Sequence, residues 1–167
     1  MFSDDISYRH KIGINFDLNL SGIAGHLRQV DMDLQYNKNQ RKEYLNMTDR
    51  IGVDWLEVFR GDTEFYQAAY WDLFTRLWKS GIPERKTDAL KFMVGVKSSQ
   101  TAGKYIETAI KKKLIIEKDN PEDARSRLLE LSPQMKERLD LFFDQAVDNL
   151  RNSNRIIESN QTPSIEV

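Results

Sequence analysis

One segment, residues 87–133, constrains the fold most, because two helical patterns in it are followed by two possible strands around a Pro-containing acidic tip. Apolar residues at helical spacing predict a short helix over 87–94 and a second helix from Ser98 or Ser99 to about Lys112. The stretch GVKSS separates the two helices and gives the spacing of a helix-turn-helix. Two predicted strands, LIIEK and RSRLLEL, follow around the acidic tip DNPED. Helix, turn, helix and hairpin in this order predict a winged helix-turn-helix.

Helices are also predicted on both sides of this segment. Upstream, FYQAAYWDLFTRLW is apolar around most of its circumference and predicts a core helix that Gly81 and Pro83 end. Downstream, Ser132–Pro133 is a strong helix start, since proline suits the first helical position. One apolar stripe lines this last helix: Met135, Leu139, Phe142, Ala146, Val147 and Leu150.

The N-terminal part of the chain carries weaker signals. Thr48 or Asp49 is the predicted cap of a short helix that ends near Gly61. Before it, four apolar residues follow helical spacing and form one stripe: Ile23, Leu27, Val30 and Leu34. The stripes over 20–34 and 133–150 lack an obvious partner in a single small domain, which favours a dimer. The alternative is that both stripes pack on the core of the same chain.

Basic residues concentrate around the predicted winged helix. Residues 76–128 carry 13 Lys and Arg against 7 Asp and Glu, a balance of +6, whereas the remaining residues are at −7. A basic segment in an otherwise acidic protein indicates a surface that meets a polyanion. Chance clustering on a solvated surface is the alternative interpretation.

Several kinds of chemistry are excluded. The chain has no cysteine, so disulfides, thiolate catalysis and cysteine zinc sites are ruled out. The two histidines, His10 and His26, have neither metal-ligand spacing nor a place in a catalytic triad. GVKSSQTAGKY is not a phosphate-binding loop, because Gly95 and Gly103 are too far apart and Tyr105 stands where Ser or Thr would hold magnesium. We therefore expect no enzyme, no cofactor and no metal site.

The sequence also lacks membrane and export signals. No stretch approaches the ~20 continuous apolar residues of a membrane-spanning helix. The first ten residues have no basic region followed by an apolar one, as a secretory signal would. We therefore expect a soluble, cytoplasmic protein.

The run YIETAIKKKLIIEKDNPEDARSRLLELSP resembles the MarR family of winged-helix transcriptional regulators. It is similar to the family's wing with Asp-x-Arg near the tip, here Asp123–Arg125, and to the Leu-Ser before the last helix, here Leu131–Ser132. The similarity extends over residues 85–150, and Lys113 stands where the family usually has a glycine that ends the recognition helix. The resemblance implies a homodimer in which terminal helices pair and two winged helices straddle a palindromic site in double-stranded DNA.

In a helix-turn-helix, the N-terminal part of the second helix enters the major groove. The predicted DNA-binding residues lie there and on the wing: Lys97, Ser98, Ser99, Gln100, Thr101, Lys104, Arg125 and Arg127. Gln100 can make a paired contact with adenine, lysines attract phosphates, and Ser98 or Ser99 caps the helix. Gly103 either allows close approach to DNA or packs against the first helix.

The two wing arginines alternate with Ser126, so both are expected on the same side of a strand. We expect at least one of Arg125 and Arg127 to reach the DNA backbone or the minor groove. The other is expected to be held by Asp123 or Glu122, which would fix the shape of the wing.

The predicted fold class is mainly α with a small two- or three-stranded β-wing. Residues 1–62 are assigned to an N-terminal arm and dimerisation helices, 63–132 to the winged helix-turn-helix, 133–152 to a C-terminal dimerisation helix and 153–167 to a disordered tail. The predicted function is a dimeric, sequence-specific DNA-binding transcriptional regulator. The alternative is a winged helix that serves as a protein-interaction or assembly module without direct DNA contact.

The sequence leaves open whether a small-molecule effector binds. Six aromatic residues could line a ligand pocket beneath the wing domain: Phe65, Tyr66, Tyr70, Trp71, Phe74 and Trp78. Aromatic residues at this spacing are more often ordinary core residues.

Overall fold

The computed structural model describes residues 34–160, which form one compact unit from Gln35 onward. Its helices are α1 (Lys38–Val58), α2 (Ala68–Ser80), α3 (Lys86–Ala89), α4 (Ser99–Lys111) and α5 (Pro133–Ser159), with a 3₁₀ turn at Thr63–Tyr66. Its strands are β1 (Glu84–Arg85), β2 (Ile115–Asp119) and β3 (Arg127–Leu131). They form one antiparallel sheet in the order β1-β3-β2. The predicted mainly helical fold with a small wing is confirmed, and the wing has three strands.

The first helix starts at least eleven residues earlier than the sequence indicated, since its cap is Asn37. α1 is continuous from Lys38 to Val58, so the predicted cap at Thr48 or Asp49 is wrong. Thr48 lies inside the helix, where its hydroxyl donates to the carbonyl of Leu45 at 2.8 Å. The predicted end of the helix near Gly61 agrees with the structure.

Polar residues start α1. The side-chain oxygen of Asn37 accepts hydrogen bonds from the backbone N–H groups of Asn39 (2.9 Å) and Gln40 (3.0 Å). In return, the side-chain oxygen of Gln40 accepts from the backbone N–H of Asn37 at 2.9 Å. This reciprocal capping box satisfies N–H groups that no earlier helical turn can satisfy. Because this helix start is made by polar side chains, the spacing of apolar residues in the sequence does not indicate it.

The core is built around α2, as its apolar circumference predicts. Leu73 and Phe74 are fully buried at its centre. Gly81 ends the helix with φ 67°, a left-handed conformation that glycine adopts without a Cβ clash. Rings from α1, the 3₁₀ turn and α5 pack around α2 or one another: Trp55, Phe59, Phe65 and Phe142. In the predicted aromatic set, Phe65, Tyr70 and Phe74 are buried and Tyr66 is exposed.

The helix-turn-helix has a shorter first helix than the prediction of 87–94. α3 comprises Lys86–Ala89, and it continues as turns in which the N–H groups of Lys91 and Phe92 donate to the carbonyls three residues earlier, at 2.9 and 3.1 Å. Ala89 and Met93 are buried. The second helix agrees with the prediction within one residue at its end, since α4 covers Ser99–Lys111.

The last helix starts as predicted and extends further. Ser132 caps α5, accepting from the N–H of Met135 at 3.2 Å. The helix continues to Ser159, so the prediction that a disordered tail begins at residue 153 is wrong for 153–159. Ser153 is fully buried against α1, and a polar contact of this kind gives no hydrophobic period in the sequence.

Three side chains form this polar contact between α1 and α5. The Ser153 hydroxyl donates to the Glu43 carboxylate at 2.8 Å and accepts from Arg50 at 2.7 Å, and Arg50 donates to Glu43 at 2.9 Å. The hydrogen bond from Arg50 holds the pKa of Glu43 below its usual value. We call Glu43, Arg50 and Ser153 the polar clasp.

Some predictions fall outside the described residues. These are the stripe of Ile23, Leu27 and Val30, the histidines His10 and His26, and the tail over 161–167. None of the helices within residues 34–160 is both long enough and apolar enough to cross a membrane.

Candidate nucleic-acid interface

The buried face of α4 determines which residues point outward. Ala102, Ile106 and Ala109 are buried against the rest of the domain. The side chains predicted to read DNA lie elsewhere on the helix or just before it, and all are exposed: Lys97, Ser98, Ser99, Gln100, Thr101 and Lys104. The fold therefore brings these six residues together on one accessible end of α4.

The start of α4 is fixed by a local cap. The Ser98 hydroxyl accepts from the backbone N–H of Thr101 at 3.1 Å, and the two hydroxyl oxygens lie 2.8 Å apart. Of the two candidate caps, Ser98 is the one used, and Ser99 is the first residue of the helix. Ser98 thus has a structural role that is independent of any ligand.

The turn before α4 is held against α2. The Asp72 carboxylate accepts from the backbone N–H of Val94 at 3.0 Å, while the Val94 side chain is 76% exposed. Met93, one residue earlier, is buried. The turn is therefore anchored at Met93 and at the backbone of Val94, which limits the directions in which α4 can point.

Packing does not account for Gly103 in the middle of α4. A Cβ atom added there would lie 4.0 Å from Cδ2 of Leu90, an ordinary van der Waals distance. Of the two interpretations of this glycine, tight packing against the first helix is therefore not required by the structure.

Asn120 shapes the tip of the wing, although it is not among the residues predicted from the sequence. This residue is 6% exposed. Its Nδ2 donates to the Ser126 hydroxyl at 2.7 Å, and its Oδ1 accepts from the backbone N–H of Glu122 at 3.0 Å. The Asp123 carboxylate accepts from the backbone N–H of Arg125 at 3.0 Å. An Asn followed by a Pro-containing acidic loop is the available signal, since Asn side chains commonly hold turns.

The two wing arginines differ in their surroundings. Arg125 lies in the tip before β3 begins, so the prediction that both alternate along one strand is wrong. Arg127 forms an ion pair with Asp119, which is its direct partner in the β2–β3 register, and lies 3.7 Å from Glu117. Arg125 is exposed, and no carboxylate within residues 34–160 lies within ion-pair distance of it.

Arg127 is therefore the arginine that carboxylates hold in place, although these carboxylates are not the expected Asp123 or Glu122. Glu117 also accepts from Lys86 at 3.1 Å. Because Lys86 is the first residue of α3, this carboxylate connects the wing to the first helix of the helix-turn-helix.

The other end of α4 is tied to the segment before α2. Lys112 donates to the Asp62 carboxylate at 2.9 Å, and this bond lowers the pKa of Asp62 and raises the pKa of Lys112. Tyr105 donates to the side-chain oxygen of Gln67 at 2.6 Å. Both ends of α4 are thus fixed to α2 or to the residues next to it.

No protein-family profile and no curated protein sequence matches this chain. Solved structures do match. A complex of S. aureus MepR with DNA is 14% identical, covers 72% of this chain and 97% of its own, and has a TM-score of 0.51. A mutant S. aureus MepR bound to an oligodeoxyribonucleotide is 12% identical, covers 74% of this chain and 81% of its own, and has a TM-score of 0.52.

AbsC, a MarR family transcriptional regulator from Streptomyces coelicolor, is 14% identical over 74% of this chain and 76% of its own, with a TM-score of 0.47. The structural comparison rests on the two MepR structures. At sequence identities of 12% and 14%, they show the fold alone. The order of the helices, the pair α3 and α4 and the three-stranded sheet are those of a winged helix. The described part of this chain has a winged-helix fold like that of the two S. aureus MepR structures.

Proposed function

We propose that this chain is a dimeric, sequence-specific DNA-binding transcriptional regulator. The observation that supports this most is the joint exposure of the α4 start and the wing tip, with Lys97, Lys104 and Arg125 as accessible cations. The two MepR structures that share the fold were solved with DNA or an oligodeoxyribonucleotide bound. The basic balance of +6 over residues 76–128 favours the same partner.

The start of α4 would enter the major groove. A helix fits that groove, and base edges there present distinct donor and acceptor patterns. Gln100 can pair with N6 and N7 of an adenine, and Lys97 and Lys104 would neutralise phosphates. Ser99 and Thr101 would add hydroxyl contacts. The affinity of such a surface is expected to fall steeply with salt, because each neutralised phosphate releases a counterion.

The wing would contact the backbone or the minor groove through Arg125. The backbone of Arg125 is held by Asp123 and its side chain is exposed. The Arg125 guanidinium is therefore accessible at the tip of the wing. Arg127 is less available for DNA because Asp119 and Glu117 lie against it. We assign Arg127 mainly to holding β2 and β3 in register.

The dimer would form through the terminal helices. The apolar stripe of α5 divides into two halves: Met135, Leu139 and Phe142 are buried, whereas Val147 and Leu150 are 54% and 55% exposed. The first half packs on the core, and the second half is left uncovered by residues 34–160, which supports pairing with a second copy of the chain. Light scattering after size exclusion should give twice the chain mass, and Leu150→Glu should give a folded monomer.

Duplex binding at two salt concentrations is the test of the function, measured by fluorescence anisotropy with a labelled random duplex and then with sequence variants. Arg125→Ala should weaken binding to all sequences and reduce the salt slope by about 1. Gln100→Ala should change preference at one base position by about 1–3 kcal/mol. Lys42→Ala, which removes an exposed charge from α1, is the control and should bind like the wild type.

Two results would contradict the proposal. If the wild type does not bind random duplex at low salt, where non-specific affinity is greatest, the chain is better explained as a protein-interaction or assembly module. If Arg125→Ala and Gln100→Ala both bind like the wild type, DNA does not use this face.

A further inference from the structure

Val94 is the most exposed of the large apolar side chains within residues 34–160, with 76% of its surface accessible. A single exposed apolar residue is common on a protein surface, so its position decides what it can do. Val94 lies in the turn between α3 and α4, four residues before the Ser98 cap. Of the described residues between Ile82 and Leu141, it is the only large apolar one that is exposed.

The protein fixes the turn that presents this side chain. The N–H of Val96 donates to the carbonyl of Met93 at 3.1 Å, which closes a four-residue β-turn. Val94 and Gly95 form the corner of this turn. Met93 is buried, Val96 packs partly against the core, and the Asp72 carboxylate accepts from the N–H of Val94 at 3.0 Å. The exposed valine is therefore attached to a backbone that is held at both ends of the turn and at its corner.

The corner has open space in front of it. A Cβ atom added at Gly95 would meet no atom within 4 Å, and Gly95 is not among the glycines with positive φ within residues 34–160. Neither the packing nor the backbone conformation therefore requires a glycine at this position. A glycine also lets another molecule approach the backbone closely, and this one is next to the exposed valine.

The number of residues between Val94 and α4 limits how far the corner lies from the proposed DNA surface. Each residue spans at most about 3.6 Å, so Val94 lies within about 14 Å of Ser98. Base pairs follow one another at about 3.4 Å along DNA. With the start of α4 in the major groove, the valine would therefore lie within about four base pairs of the start of the helix. Lys97, which is exposed between the two, would bind a neighbouring phosphate.

The major groove offers one apolar group to such a side chain. Thymine presents its C5-methyl group there, whereas the other base edges present hydrogen-bond donors and acceptors. We propose that Val94 packs against a thymine methyl group and thereby selects thymine at one position of each half-site. Cytosine at that position would bring its amino group against a side chain that cannot accept a hydrogen bond. This inference rests on the proposed function and adds a base position that is recognised without a hydrogen bond.

Deoxyuridine is the probe for this contact, because its base lacks only the methyl group of thymine. A duplex is first selected from a random pool by the wild-type protein, and each thymine is then replaced in turn by uracil. Affinity is measured by fluorescence anisotropy on the full chain. At one position of each half-site, the replacement should weaken binding by the wild type about fourfold, as expected when one methyl group is lost from an apolar contact.

Two valine variants show whether Val94 makes this contact. Val94→Ala should bind the unmodified duplex more weakly than the wild type and should not distinguish thymine from uracil at the sensitive position. Val53→Ala is the matched control, because it makes the same substitution at a valine that is 60% exposed on α1. This control should keep the fourfold difference. Since both side chains are exposed, neither variant should unfold at a lower temperature than the wild type.

The inference is overturned if no uracil replacement weakens binding by the wild type. It is also overturned if Val94→Ala keeps the fourfold difference, since another side chain would then contact the methyl group, or if Val53→Ala loses it. In each of these cases the wild type still binds the selected duplex, so the proposed function stands. If the wild type binds no duplex at all, the proposed function and this inference fail together.

Discussion

Gly103→Ala should stabilise the protein, because neither the backbone conformation nor the packing of α4 requires a glycine at this position. Gly103 lies inside α4, where glycine is less favourable than alanine by roughly 0.5–1 kcal/mol. The new methyl group would meet Cδ2 of Leu90 at 4.0 Å, which is a normal contact. The melting temperature should therefore rise by about 1–4 °C for a chain of this size.

Gly52→Ala is the matched comparison for this prediction. Gly52 lies inside α1, so the helix-propensity gain is the same. Its added Cβ would approach the Tyr66 hydroxyl oxygen to 3.1 Å, and the ring would have to move. We expect Gly52→Ala to raise the free energy of unfolding by less than Gly103→Ala does. Both variants would be compared by urea denaturation monitored by circular dichroism.

The reasoning is refuted if Gly103→Ala is less stable than the wild type, or if Gly52→Ala gains more. The same protein then tests the remaining interpretation of Gly103. A more stable variant that binds duplex more weakly would show that the glycine allows close approach to DNA, and unchanged duplex binding would remove that role.

Two further predictions concern charged pairs. Asp62→Asn should lower the urea midpoint at neutral pH and leave it unchanged in acid. Lys112 lowers the pKa of Asp62, so the stability from this pair is present at neutral pH and is lost as the pH falls through the lowered pKa. The effect should be small and should shrink with salt, because both groups are partly exposed; an equal loss at both pH values would contradict it. Asp119→Asn should tighten duplex binding and increase the salt slope by up to about 1, since Arg127 would become available to a phosphate. Unchanged anisotropy titrations would mean that Arg127 stays with Glu117.

The elements that the sequence predicts best are those with a strong local signal. α4 combines a serine cap with buried residues at helical spacing, and its predicted and observed limits agree within one residue. Ser132–Pro133 starts α5 as expected. These signals involve neighbouring residues only, so no knowledge of the tertiary structure is needed to interpret them.

The elements that the sequence misses depend on contacts between distant residues. α1 begins with a polar cap, and the last turns of α5 contact α1 through Ser153 and the backbone of Ile157, which accepts from Gln40 at 3.0 Å. The partner of Arg127 follows from the strand register, which sets Asp119 opposite it. Sequence spacing around the tip instead suggested Asp123 or Glu122.

The polar clasp has a consequence for how α1 and α5 can move. A slip of one helix past the other by a single turn, about 5.4 Å, would carry Ser153 on α5 away from both Glu43 and Arg50, which lie together on α1. An apolar seam tolerates such a shift, because one aliphatic neighbour can replace another, whereas the buried Ser153 hydroxyl would lose both its donor and its acceptor. The clasp therefore favours a single alignment of the two helices and opposes sliding of one along the other.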